Sequence, residues 1–154
     1  MSENGGVHDP QDREIVERRI LRAIQSAIHL DEMNETEMAV KELLPLVVEY
    51  PDEPGVRIYL GWFLRRCGRF PESIEHSSRG VELLPRSSRA SLVLFQALSD
   101  GGSRPEAICE IRRFLPIRRS NKDTPHYDEI LRKWDAADRE GIQPRTTKRV
   151  IGNA

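Results

Sequence analysis

The side chains that most often carry out catalysis or bind metals are few and scattered in this sequence. The four histidines lie far apart, and no two have the one-turn spacing of a helical metal site: His8, His29, His76 and His126. His126 and Asp128 could form a titrating pair, but an acid there also suits the start of a helix. The sequence therefore predicts neither a metal ion nor a cofactor.

Nucleophiles and phosphate-binding loops are equally hard to find. Cys67 and Cys109 are the only cysteines and lack C-x-x-C spacing, which favours two free thiols on helices. The pair Gly101-Gly102 does not belong to a G-x-x-x-x-G-K-S/T loop, and no G-x-S-x-G sequence occurs. We therefore expect a protein that is not an enzyme.

The strongest pattern is a repeat of 34 residues. Three kinds of residue recur at this interval. Residues that adopt the left-handed backbone conformation at little cost are Asn34, Gly68 and Gly102. Prolines that end helices are Pro51 and Pro85, and small residues that let two helices approach are Ala39, Ser73 and Ala107. The repeat predicts pairs of helices joined by tight turns.

The unit over 54–87 resembles the tetratricopeptide repeat, a helix-turn-helix unit of 34 residues. It matches the family pattern at Leu60-Gly61, Leu64, Gly68, Phe70 and Pro85, and departs from it at Arg57, where Trp is common, and at Ser77, where a large apolar residue is usual. The resemblance covers residues 20–121. It implies an all-α, right-handed α-solenoid of three helix pairs, and a C-terminal helix is expected to cap the array.

The predicted boundaries follow from prolines, caps and apolar spacing. We expect a disordered segment over 1–11, a domain over 12–140 and a flexible basic tail over 141–154. Within the domain the repeats span about 20–53, 54–87 and 88–121, and the capping helix about 124–140. The predicted helices begin with a long one from Asp12 and continue over 35–50, bent at Pro45, then 54–66, 71–84, 88–99 and 105–114.

Composition favours a soluble cytoplasmic protein. Hydrophobic residues make up 38% and charged residues 32% of the chain, and no apolar run approaches the ~20 residues that cross a bilayer. The net charge of −1 is unevenly divided, because residues 1–60 carry −7 and residues 61–154 carry +6. This asymmetry either steers a charged partner or reflects two solvated faces that differ.

The resemblance also implies a binding surface, because the first helix of each pair lines the concave face of such arrays. The groove positions that we select are Ile24, Ile28, Ile58, Trp62, Arg65, Arg66, Arg89, Leu92 and Gln96. The apolar members would form a solvent-facing strip with arginines beside it. Packing of Trp62 in an ordinary core is the alternative. The Lys and Asn clamp of some family members is absent, since Ile24 and Ile28 hold the matching positions.

We therefore expect a protein-interaction module that binds an apolar or amphipathic segment of a partner, as an adaptor, a chaperone or an immunity-type protein. Nucleic-acid binding is the alternative, based on basic residues at Arg112, Arg113, Arg118, Arg119, Lys122, Arg145, Lys148 and Arg149. Against it stand the slightly acidic net charge and the lack of interleaved aromatic residues. No membrane association is expected.

Overall fold

The computed structural model describes residues 9–119, 122 and 126–141, and this part of the chain contains helices and no strand. The prediction of an all-α fold is confirmed. No helix within these residues is both long and apolar enough to span a bilayer. In chain order the helices are α1 (Pro10–Glu32), α2 (Thr36–Glu49), α3 (Pro54–Arg66), α4 (Phe70–Leu83), α5 (Ser88–Asp100), α6 (Arg104–Phe114), a 3-10 turn (Leu115–Ile117) and α7 (Tyr127–Arg139).

The start of α1 differs from the prediction. Asp9, and not Asp12, is the N-cap, and its Oδ1 accepts a hydrogen bond from the backbone N–H of Gln11 at 2.9 Å. Pro10 occupies the first turn, where its missing N–H costs nothing. Residues 10 and 11 are therefore helical, contrary to the predicted disorder over 1–11, while residues 1–8 lie outside the described part.

The turns within the helix pairs have the predicted backbone. Asn34, Gly68 and Gly102 have φ values of 64°, 76° and 83°, which is the left-handed region that ends a helix tightly. Helices α2 to α6 begin and end within one residue of the predicted boundaries. Helix α7 has His126 at its N-cap, while the expected cap, Thr124, and the tail over 142–154 lie outside the described residues.

Helices that follow one another from α1 to α6 pack together, and the first helices of successive pairs also contact each other, α1 with α3 and α3 with α5. Two ion pairs join these first helices. Arg66 Nε lies 2.7 Å from Asp31 Oδ1, and Arg65 Nη1 lies 2.6 Å from Asp100 Oδ2. In both pairs the two residues are 35 positions apart. Each of these residues lies in the last turn of its helix, so α1, α3 and α5 are joined at their C-terminal ends.

Two apolar clusters form the core, and α3 contributes to both. The first contains side chains of α1, α2 and α3, among them Ala27, Leu43 and Leu60. The second is built mainly from α5, α6 and α7, with Ile58 of α3 and Val81 of α4. Trp62 packs against both clusters. Helix α3 is therefore the element that joins the two halves of the core.

Helices α3 and α4 approach each other closely because small residues face one another. The Ser73 hydroxyl donates to the Gly61 carbonyl at 2.6 Å, and the Ser77 hydroxyl donates to the Ser73 carbonyl. A Cβ atom at Gly61 would lie 2.9 Å from Ser77 Oγ, and one at Gly80 would lie 2.8 Å from Ile58 Cγ1. This packing explains why a small residue, Ser77, stands where the family pattern has a large apolar one, since a larger side chain would not fit between the two helices.

Helix α7 packs its apolar side onto the second cluster. Tyr127 is 1% exposed, its hydroxyl lies 3.1 Å from Ser91 Oγ, and its ring centroid lies 5.3 Å from that of Phe95. The ring centroids of Trp134 and Phe95 lie 6.0 Å apart. The guanidinium carbon of Arg104 lies over the Trp134 ring, 4.9 Å from its centroid. Charged residues occupy the opposite side of α7, so the helix shields apolar surface of α5 and α6 from water.

We predict that Gly61→Ala lowers the free energy of unfolding by about 2 kcal/mol, because the new methyl group would push the α3 and α4 backbones apart. Urea denaturation followed by circular dichroism measures this change. Gly55→Ala, in the same helix, is the matched control, because its Cβ would meet only movable side-chain atoms of Ile24 and Glu53. We expect the control to stay within about 1 kcal/mol of the parent. Equal losses in both variants would contradict a specific close approach at Gly61.

Candidate functional site

The candidate site is the side of α1, α3 and α5 that turns away from the second helices, and we call it the first-helix face. Helical spacing places its members one or two turns apart on each helix: Leu21 and Ile28 on α1; Tyr59, Trp62 and Arg66 on α3; Arg89, Leu92 and Gln96 on α5. Because α3 contacts both α1 and α5, these three rows of residues lie side by side.

Two predicted members of the solvent-facing strip are buried. Ile24 is 8% exposed and Ile58 is 5% exposed. Each isoleucine packs against a glycine of a neighbouring helix. Ile24 Cδ1 lies 3.3 Å from the position that a Cβ would take at Gly55 of α3, and Ile58 packs against Gly80 of α4. The prediction that these two isoleucines face solvent is therefore wrong, because the close helix packing makes them core residues.

Trp62 packs against the core and is also partly exposed at the surface. It is half-buried and contacts apolar side chains of both clusters. The Arg65 guanidinium lies 5.0 Å from the centre of its ring, and Arg65 is held there by its ion pair with Asp100. The core alternative for Trp62 is thus partly correct, and only part of its indole remains for a partner.

The three arginines predicted for the groove bind neighbouring first helices. Arg65 and Arg66 form the ion pairs described above, and Asp31 also accepts a hydrogen bond from Thr36 Oγ1 at 2.7 Å. The Arg89 guanidinium lies 5.5 Å from the Tyr59 ring centre and donates to the Tyr59 hydroxyl. These contacts hold the three guanidinium groups against neighbouring first helices, at the edges of the face.

Apolar surface remains open between these arginines. Leu92 is 40% exposed and Leu21 is 56% exposed, while Ile28 and Tyr59 are half-buried. Gln96 is half-buried, and its Oε1 is buried and accepts no hydrogen bond from the described residues. The sequence prediction did not include Tyr59, although its position one turn before Trp62 on an amphipathic helix indicates the same side.

The basic cluster considered for nucleic acid is partly neutralised. Arg113 donates to both carboxylate oxygens of Glu110, at 2.6 and 2.8 Å, and to the Pro85 carbonyl at 2.8 Å. Arg118 forms an ion pair with Asp128 at 3.2 Å. The basic residues Arg145, Lys148 and Arg149 lie outside the described residues. Two of the expected phosphate-binding side chains are therefore already bound within the protein.

Two side chains with nucleophilic groups have raised pKa values. Burial raises the pKa of the Cys67 thiol to about 11, and Glu37 adds to this rise, so the thiolate is scarce at neutral pH. Burial likewise raises the pKa of Tyr127 to about 12. His126 Nδ1 lies 3.4 Å from Glu129 Oε2, while Asp128, which the sequence allowed as its partner, pairs with Arg118 at 3.2 Å. Across residues 9–119, 122 and 126–141, no three metal-ligating side chains cluster together.

No family model matches the chain, and no curated protein sequence matches it. The resemblance to the tetratricopeptide repeat is therefore carried by the repeated residues and turns alone, and it stays a prediction.

We predict that Trp62→Ala lowers the free energy of unfolding by about 2 kcal/mol, since the half-buried indole touches both core clusters. Leu92→Ala should cost less than about 1 kcal/mol, because its side chain is already 40% exposed. Parallel urea titrations measure both. A larger cost at Leu92 than at Trp62 would contradict the assignment of Leu92 to the surface.

The pair of Arg57 and His76 makes stability depend on pH. Arg57 Nη1 lies 2.9 Å from His76 Nδ1, and because arginine only donates, Nδ1 must accept and Nε2 carries the proton. Burial lowers the pKa of His76 below its usual 6.5, and the Arg57 charge lowers it further, against the weaker opposing effect of Glu75 and Glu72. The folded state therefore binds fewer protons than the unfolded state.

Consequently we predict that the contribution of His76 to stability is complete above pH 6.5 and declines as the pH falls through its lowered folded pKa. The urea midpoint, measured between about pH 8 and pH 4.5, should fall more steeply in the parent than in His76→Gln, whose amide accepts from Arg57 without titrating. Identical slopes for the two proteins would contradict a titrating contact at His76.

Proposed function

We propose that this chain is a non-enzymatic protein-interaction module whose helices form a right-handed stack of three tetratricopeptide-like pairs closed by α7. Three features support the stack. Left-handed turns recur every 34 residues, the first helices contact in the order α1, α3, α5, and similar ion pairs join each of these neighbours. Stacking of this kind leaves the first helices free to form a continuous binding surface.

The proposed ligand is an apolar or amphipathic segment of another protein. The single observation that carries this proposal is the contrast on the first-helix face, where leucines remain exposed while the adjacent arginines are fixed by bonds within the protein. Covering an exposed leucine gains about 1 kcal/mol, and fixed arginines lose little entropy when they bind. A partner with apolar side chains spaced along one strand or helix face would contact both the exposed leucines and the arginines beside them.

Such a module acts by holding its partner, and we place it in the cytoplasm as an adaptor, a chaperone or an immunity-type protein. All three roles need the same surface, because each requires an apolar segment to be covered. They differ in what happens to the partner afterwards, which depends on the partner and not on chemistry at the first-helix face.

Leu92→Glu tests the proposal, because it places a charge on the open part of the face at little cost to folding. Val48→Glu is the matched control, since Val48 is 81% exposed on α2, which is a second helix. We expect the parent and Val48→Glu to capture the same protein in affinity pull-downs, with capture lost for Leu92→Glu. Calorimetry with the purified partner should then show at least tenfold weaker binding for Leu92→Glu.

Circular dichroism must show similar melting temperatures for the two variants, which separates lost binding from lost folding. Equal capture by Leu92→Glu and the parent would contradict binding at the first-helix face. Capture of nucleic acid in place of a protein, with a steep loss of affinity as salt increases, would support the alternative function.

A further inference from the structure

A second surface lies at the turn between α4 and α5, outside the first-helix face. A cavity of about 540 Å³ opens there, lined by Leu84, Pro85, Arg86, Ser87, Ser88 and Arg119. Among the described residues, the side chains of Arg86 and Arg119 form no ion pair or hydrogen bond, and no carboxylate lines the cavity. Two uncompensated positive charges therefore share one concave site.

Several other arginines of the protein are paired with acidic side chains. Arg66, Arg69 and Arg79 each bind a carboxylate. Even Arg113, which reaches the cavity rim through the Pro85 carbonyl at 2.8 Å, is neutralised by Glu110. Glu110 is thus bound to a third arginine, and the positive charges of Arg86 and Arg119 are left for an external anion.

The donors around the cavity suit an oxyanion. Each guanidinium presents a planar fork of N–H groups that matches the two oxygens of a carboxylate or phosphate. Ser87 Oγ accepts a hydrogen bond from the Ala90 N–H at 3.2 Å, so its own hydroxyl hydrogen is available to donate. The first turn of α5 also borders the cavity and adds a smaller favourable dipole.

We propose that this cavity binds a carboxylate or phosphate group belonging to the segment that occupies the first-helix face. The inference rests on the proposed function for the identity of that segment. Arg89 connects the two surfaces, because it follows Ser88 in the chain and bonds to Tyr59 on the face. Leu92 lies one further turn along α5, about 5 Å away. A partner segment with an acidic group next to an apolar residue would therefore reach both.

The binding step can be measured without the partner. The parent protein is titrated with inorganic phosphate, and separately with a hexaglutamate peptide, at constant ionic strength, while the backbone amide signals of residues 86–89 are followed by NMR. We expect saturable shifts with at least one probe and at least tenfold weaker binding in the double variant Arg86→Glu/Arg119→Glu. Arg112→Glu is the matched control, since Arg112 is exposed and does not line the cavity.

Binding of phosphate alone would support the proposal with phosphate as the group recognised, and binding of the peptide alone would support it with a carboxylate. Two results would overturn it: the absence of saturable shifts with either probe, or equal losses in Arg112→Glu and the double variant, which would indicate a diffuse positive field. Either result leaves the Leu92→Glu test of the proposed function unaffected, so the two failures can be distinguished.

Discussion

The close approach of α3 and α4 is the constraint on which the rest of the structure depends. Gly61, Ser73 and Ser77 bring the two backbones so near that no large side chain fits between them there, and Gly80 of α4 leaves room for Ile58 of α3. Some bulky residues of α3 pack toward α1 and α2, and Ile58 packs toward α4 and α5. One helix thereby contributes side chains to both core clusters and joins the two halves of the core.

Most of the secondary structure could be predicted because each boundary depends on local chemistry. The left-handed conformation at Asn34, Gly68 and Gly102 is a property of single residues, and it is found where the interval of 34 indicates. The error at the start of α1 has a local cause as well, since Asp9 and Asp12 are both competent caps and only the position of Pro10 favours the first. Local signals thus identify helices better than they rank competing caps.

The candidate site was harder to predict because the exposure of a residue depends on distances between helices. Ile24 and Ile58 are predicted to face solvent because of the groove positions that the family resemblance implies, yet glycines on neighbouring helices allow those helices to cover them. The arginines show a related difficulty, because sequence indicates a positive charge but not its partner. Arg65 and Arg66 form ion pairs with aspartates 35 residues away, and such a pairing depends on how the helices pack in three dimensions. Burial and charge pairing are therefore properties of the tertiary structure.

Pairing of the arginines also divides the surface into parts with different capacities. Where a guanidinium is bound to a carboxylate, its charge is largely cancelled and its stem covers apolar surface, as Arg65 does over Trp62. Such an arginine shapes a site but attracts few anions. Where the guanidinium has no partner among the described residues, as at Arg86 and Arg119, its charge is available to an external group. Exposed Leu92 lies on α5 and Arg86 lies in the turn just before it, so a segment that bound at both places, as proposed, would need its acidic and apolar groups close together.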